Sequence, residues 1–173
     1  MLKAALLGCG RWGQNHLRVL SSLKEQGLIE SIAVIDTSDE ARLSAKSADF
    51  TSPMMEGIDA DFVVIATPSI LHSSQALELL ENNFHVLVEK PLGCSESEAA
   101  QVIACARENG RILGVGLLLR FHPGVILANR MLNNGELGRM ETLRFVRRSQ
   151  RHAPPEGNVI EAFGVHAIDL MCH

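Results

Sequence analysis

Lys90 is the residue whose neighbours best equip it for chemistry. It lies in Glu89-Lys90-Pro91, directly after the apolar run Phe84-His85-Val86-Leu87-Val88, which reads as a buried strand. A strand end fixes an amine at a sheet edge, where it can hydrogen-bond a substrate oxygen and stabilise the negative charge that develops there. For proton exchange near neutral pH, a lysine with an ordinary pKa of about 10.4 needs desolvation or a nearby charge to lower it. Standing alone, Lys90 would read as a strand-end lysine reaching for water.

A second pattern gives the amine a context. Gly8-Cys9-Gly10-Arg11-Trp12-Gly13 follows the first apolar run, and its spacing is G-x-G-x-x-G. Gly8 permits a tight turn, Gly10 lets backbone approach a pyrophosphate, and Gly13 lets the next helix lie close to the sheet. Helix N-termini offer unpaired N–H groups and partial positive charge to phosphates. Asp36 ends the next apolar strand, 23 residues after Gly13. A carboxylate there can accept hydrogen bonds from ribose hydroxyls and would repel a 2′-phosphate, so NAD is expected over NADP. Asp36 also fits a helix cap or turn residue, and Arg42 or Ser38 would offer NADP a foothold. Arg11 and Trp12 are placed to cover the pyrophosphate, though a surface role fits them equally. The loop Thr67-Pro68-Ser69 should overhang the nicotinamide end. The expected cofactor set is therefore Gly8, Gly10, Arg11, Trp12, Gly13, Asp36, Thr67, Pro68, Glu89 and Lys90.

The elements that position these residues follow from periodicity. Apolar runs at 4–7, 32–35, 62–66, 86–88 and 112–117 alternate with helix-like segments beginning near Arg11, Asp39, Ser69 and Ser95. Continuous apolar strands separated by helices imply a parallel sheet covered on both faces, the alternation of a doubly wound α/β fold. Ser95 with Glu98 forms a capping-box pattern, and Asn109-Gly110 marks the end of that helix. Pro68 and Pro91 turn the chain out over the carboxyl edge, where open parallel sheets bind ligands. Beyond Leu119 the rhythm changes: a helix from Pro123 to Leu132, a strand from Glu141 to Val146, a loop from Gln150 to Gly157, and a helix from Val159 to Cys172.

Composition narrows the class. The chain has 173 residues, 46% hydrophobic and 21% charged, enough for one full domain and the beginning of another. A net charge of −4 argues against a general nucleic-acid binder. No apolar stretch is long enough to span a bilayer and no cleavable leader is evident, so a cytoplasmic protein is expected. Cys9, Cys94, Cys105 and Cys172 form no C-x-x-C pair; they read as reduced structural thiols, and no metal site is expected.

The ordered combination is more specific than any one motif. Gly8-x-Gly10-x-x-Gly13 with His16, Ala66-Thr67-Pro68 with His72, Glu89-Lys90-Pro91, Gly116 through Arg120-Phe121-His122-Pro123, Gly135-Glu136-Leu137-Gly138, and Gly164-Val165-His166 with Asp169 occur in this order. The chain resembles the Gfo/Idh/MocA family of glucose-fructose oxidoreductase, inositol dehydrogenase and MocA. The resemblance implies an NAD(P)-binding Rossmann domain, here 1–119, followed by an α/β substrate and oligomerisation domain, of which 120–173 is a part. It implies oxidation or reduction of a hydroxyl or carbonyl on a sugar, cyclitol or nucleotide-sugar, and a homo-oligomer. Lys90 takes the catalytic lysine position and His166 that of the catalytic histidine, an acid/base candidate because imidazole titrates near physiological pH. His16 and His72 are expected to be structural, fixing helix starts or the loops under the cofactor, and His85 a packed strand residue.

Two features depart from the family pattern. An aspartate is common four residues before the histidine, where this chain has Ala162 beside Glu161; Asp169, three residues after His166, could orient it instead. Members are also commonly about twice as long, so a fragment or a short form completed by a partner chain is expected. A dinucleotide-binding module without turnover is the competing reading. Arg144, Arg147, Arg148 and Arg151 form a basic stretch that is a solvated face or, if functional, a selector of anionic substrates.

Overall fold

The computed structural model describes residues 1–146, 148 and 164–172. Two compact units divide the chain, Met1–Gly116 and Leu117–His173. In the first unit six strands form one sheet: β1 (Leu2–Leu7), β2 (Ile29–Ile35), β3 (Phe50–Ser52), β4 (Phe62–Ile65), β5 (His85–Val88) and β6 (Leu113–Val115). The connecting helices are α1 (Arg11–Glu25), α2 (Asp39–Ser44), α3 (His72–Glu81) and α4 (Glu96–Glu108). All pairings are parallel and the strand order is β3-β2-β1-β4-β5-β6. This is the doubly wound Rossmann order, whose direction reverses between β1 and β4.

Every central strand is apolar on both faces because each face has a helical cover. Ala4, Leu6, Ile32, Val34 and Val64 pack with Leu17 and Leu20 of α1. The alternate residues Ala5, Ile35, Val63, Ile65, Val86 and Val88 pack with Leu80 of α3 and Val102 of α4. Side chains alternate across a strand, so one apolar run feeds both layers. Each fully buried Leu, Ile or Val contributes roughly 1.5–3 kcal/mol relative to exposure.

The sequence-predicted runs became strands with small shifts of boundary. β3 was not among them: Phe50-Thr51-Ser52 is three residues with Phe50 and Thr51 exposed, too short and polar to carry an apolar signal. The Ser95 cap is present, its side chain accepting from the Glu98 N–H at 3.2 Å. The reciprocal half of the box is not formed on Ser95. Glu98 Oε2 instead accepts from the Cys94 N–H at 2.8 Å and from Ser73 Oγ at 3.0 Å, tying the start of α4 to α3.

In the second unit a 3-10 turn at Leu118–Phe121 precedes α5 (Pro123–Asn133), which His122 caps through its side chain, and α6 (Val165–Cys172) follows later. The strand expected at Glu141–Val146 is corrected: those residues are exposed and carry no strand. Alternation supplies a face but no ladder, and an isolated strand leaves its backbone groups to water. The expected loop from Gln150 to Gly157 and the start of the expected helix at Val159 lie outside the described residues, as do Arg147, Arg151, Glu161 and Ala162.

Candidate functional site at the carboxyl edge of the sheet

The sheet register brings the motif residues to one edge. Leu7 pairs with Ile35 and Ile65, Ile65 with Val88, and Val88 with Val115. The ladder then extends one residue past each strand: Gly8 N–H donates to the Ile35 carbonyl, Ala66 N–H to Leu7, Glu89 N–H to Ile65 and Gly116 N–H to Val88, all at 2.8–2.9 Å. The glycine turn, the Thr67 loop and the Lys90 loop therefore start from level, hydrogen-bonded positions.

The glycines differ in what they do. Gly8 has φ +90°, and a Cβ there would stand 2.8 Å from the Thr67 nitrogen. A Cβ on Gly13 would stand 2.1 Å from the Gly8 carbonyl oxygen, so α1 can start this close to the turn only without one. At Gly10 an added Cβ would meet nothing within 4 Å, which leaves open space on the outer side of the turn. Gly10 caps α1 with backbone alone, and no acidic side chain lies in the first turn, so the helix start keeps its positive character.

Asp36 is bound into this turn. One carboxylate oxygen accepts from Cys9 N–H at 2.7 Å and the other from Ser38 N–H at 2.9 Å. The turn-residue role and a place beside the glycine loop are thus both realised. Each oxygen retains a lone pair for a further donor.

A cavity of about 190 Å³ is lined by Trp12, Ala66, Thr67, Ser69, His72, Glu89 and Lys90. Trp12, Thr67, Glu89 and Lys90 are thereby brought together; Arg11 lies exposed at the start of α1, and Pro68 in the loop that precedes α3. The Lys90-Pro91 bond is cis. Glu89 is held from two sides: Oε1 meets His16 Nε2 at 2.8 Å and Oε2 accepts from the Lys90 backbone N–H at 3.2 Å. Burial works to raise the Glu89 carboxyl, but the His16 hydrogen bond and charge, with the Lys90 N–H and ammonium, outweigh it and hold the group below the usual glutamate range. Gly116 closes the other side, since a Cβ there would come within 3.1 Å of the carboxylate.

His72 takes the structural role expected of it, fixing the loops beside the cavity. Almost fully buried, it faces the Pro91 carbonyl with Nδ1 at 2.6 Å and the Thr67 carbonyl with Nε2 at 2.9 Å, spanning the two loops that flank the cavity. The available signal was its place five residues after Thr67 at the head of α3. His85 lies partly buried in β5, and its Nδ1 accepts from Ile112 N–H at 2.9 Å. In the second unit His166 is buried on α6. Asp169 does not spend its carboxylate as expected: both oxygens accept from the Arg120 guanidinium, at 2.5–3.0 Å. A bidentate arginine pair is a stronger claim on a carboxylate than one imidazole N–H. Arg144 and Arg148 are exposed. Among the described residues no group of three or more His, Cys, Asp or Glu could hold a metal ion, and no helix is long and apolar enough to cross a membrane.

Strand order and glycine turn together define a Rossmann-type α/β unit. Residues 2–117 match the sequence model of the oxidoreductase family Gfo/Idh/MocA, NAD-binding Rossmann fold, and the chain belongs to that family. The inositol 2-dehydrogenase 2 of Saccharopolyspora erythraea is 28% identical over 98% of this chain and 52% of its own length. Among solved structures, the WlbA dehydrogenase of Bordetella pertussis, in complex with NADH and UDP-GlcNAcA, aligns with a TM-score of 0.71 and 29% identity, covering 80% of this chain and 43% of that one. A probable dehydrogenase from Thermotoga maritima has the same fold at a TM-score of 0.79 and 19% identity, over 98% of this chain and 54% of that one. The chain spans about half the length of the curated relatives it matches.

Proposed function

We propose that this chain binds NAD and carries the lysine of an oxidoreductase acting on a hydroxyl or carbonyl of a sugar, cyclitol or nucleotide-sugar. The observation that carries the reading is the single cavity lined by Trp12, Thr67, Glu89 and Lys90 beside the β1–β4 switch point and the glycine turn. The residues fit a dinucleotide: the space beyond Gly10 admits a pyrophosphate, the start of α1 is uncapped by any side chain, and Asp36 keeps lone pairs for ribose hydroxyls. NAD is favoured over NADP because that carboxylate would repel a 2′-phosphate. When bound, the nicotinamide supplies hydride transfer to or from the reacting carbon.

The chain's own residues do the rest. Gly8, Gly10, Gly13 and the first N–H groups of α1 hold phosphates. Arg11 and Trp12 flank them, while Thr67 lines the cavity and Pro68 follows it in the loop that overhangs the nicotinamide end. Lys90 Nζ hydrogen-bonds the reacting oxygen and stabilises its negative charge. Glu89, engaged by His16, sets the backbone of Lys90 and lines the cavity. His166 takes or returns the hydroxyl proton, a role assigned from its motif position. The sugar-like substrate class follows the relatives' names, inositol 2-dehydrogenase among them. A homo-oligomer in the cytoplasm completes the reading.

Lys90→Met should leave NAD affinity within about threefold of the parent and lower turnover by two or more powers of ten. It is assayed on the complete enzyme against a panel of cyclitols and nucleotide-sugars. Undiminished turnover would remove Lys90 from the mechanism. The competing reading is dinucleotide binding without turnover. Saturable NAD binding with no reduction across that panel would support it.

A further inference from the structure

A second cavity, of about 340 Å³, opens beside the glycine turn and is lined by Gly10, Gln14, Ser38, Glu40, Ala41 and Ser44 among others. Resting on the dinucleotide reading above, its position between the start of α1 and the turn after β2 makes it the place for the adenosine end. Its floor is already built: Gln14 Nε2 donates to Ser44 Oγ at 2.7 Å and to the Cys9 carbonyl at 3.3 Å.

The charges around this cavity are one-sided. Glu40 stands in its wall with an exposed side chain, and Asp36 lies beneath the turn that borders it. Arg42, the cation nearest in sequence, is turned to other partners. Its Nη1 donates to the Asp36 carbonyl at 2.5 Å, its Nη2 pairs with Asp39, and its side chain is only 18% exposed. No lysine or arginine lines the cavity among the described residues. A 2′-phosphate carries about −1.5 to −2 charge and needs cationic donors that approach it in fork geometry.

We propose that Glu40 is a cofactor-selecting residue: from the cavity wall it excludes a 2′-phosphorylated adenosine ribose, while Asp39 and the Asp36 carbonyl hold Arg42 out of reach. Beyond the Asp36 carboxylate, rejection then has two further components, a repulsive carboxylate at the wall and a withheld guanidinium. Specificity of this kind often uses a repulsive element as well as an attractive one. Glu40 in the first turn also serves the helix dipole of α2, and a role confined to that would alter stability while leaving the nucleotide ratio unmoved.

Dissociation constants for NADH and NADPH, measured by fluorescence titration on the 173-residue chain, test the assignment with no substrate needed. The parent should favour NADH by about tenfold or more, and Glu40→Gln should narrow that ratio by about threefold or more through tighter NADPH binding. Glu40→Arg should close or reverse the ratio, with NADH affinity held within about twofold, and the parent's discrimination should weaken in about 0.5 M salt. Thermal unfolding of each variant separates a folding defect from a change in selection. A ratio unmoved in both Glu40 variants would overturn the proposal. So would a parent that binds the two nucleotides equally, or an Arg42→Ala variant that loses NADPH alone. If the parent binds neither nucleotide, the dinucleotide reading itself fails, and that result is distinct from the others.

Discussion

The carboxylate of Glu89 shows how one residue can join two motifs that lie 73 positions apart. Its contact with His16 ties α1, which starts at the glycine turn, to the loop that carries Lys90. Because the Glu89 pKa is depressed in the fold, the stability it contributes is fully present above the unfolded value of about 4.3 and is lost as pH falls through the lower folded value. The stability difference between the parent and His16→Gln should therefore shrink as denaturant titrations are carried below about pH 4. A difference constant down to pH 2 would show that the pair contributes no pH-linked stability. Lys90 and Asp36 were legible as residues just past strand ends because each follows an apolar run, and strand ends are fixed by pattern. The spanning contacts of His72 were not legible, since neither partner is a side chain and the carbonyls it meets come from loops 5 and 19 residues away.

At the scale of elements, the glycine turn and α1 permit a contrast that separates folding from binding. Gly13→Ala puts a Cβ into the Gly8 carbonyl, so α1 must shift, at a cost of about 1–3 kcal/mol in unfolding experiments. Gly10→Ala meets nothing in the protein and should unfold within about 1 kcal/mol of the parent, yet its methyl occupies the space proposed for a phosphate and should weaken NADH binding about tenfold or more. Unchanged affinity in a folded Gly10→Ala protein would place the pyrophosphate elsewhere. The same scale explains which elements were legible. Five apolar runs and the Ser95 cap announced themselves through local periodicity and turn chemistry. β3 did not, because its ordering comes from Ala33, Val34 and Ile35 of β2 rather than from its own residues. Alternation at 141–146 promised a strand that has no ladder, since pairing is a property of two segments and periodicity of one.

For the whole molecule, binding and folding are linked. If the first unit binds NAD as proposed, ligand at 100 times its Kd should add about 2.7 kcal/mol to the unfolding free energy. That corresponds to a rise in Tm of roughly 5–10 °C for a chain of this size, measured by calorimetry or fluorescence. No rise at saturating NAD would contradict binding to the folded state. Light scattering with and without NAD tests the proposed homo-oligomer, with a mass near that of one chain, 18.8 kDa, counting against it. By itself, the order of residues determined the α/β alternation, the glycine turn, the carboxylate at the end of β2 and the lysine at the end of β5, because each is written in local pattern and spacing. The tertiary structure alone decided which side chains share a partner: Glu89 with His16, Asp169 with Arg120, Arg42 with Asp39 and the Asp36 backbone. Those choices depend on distances set by strand register and helix packing, which no one-dimensional spacing encodes.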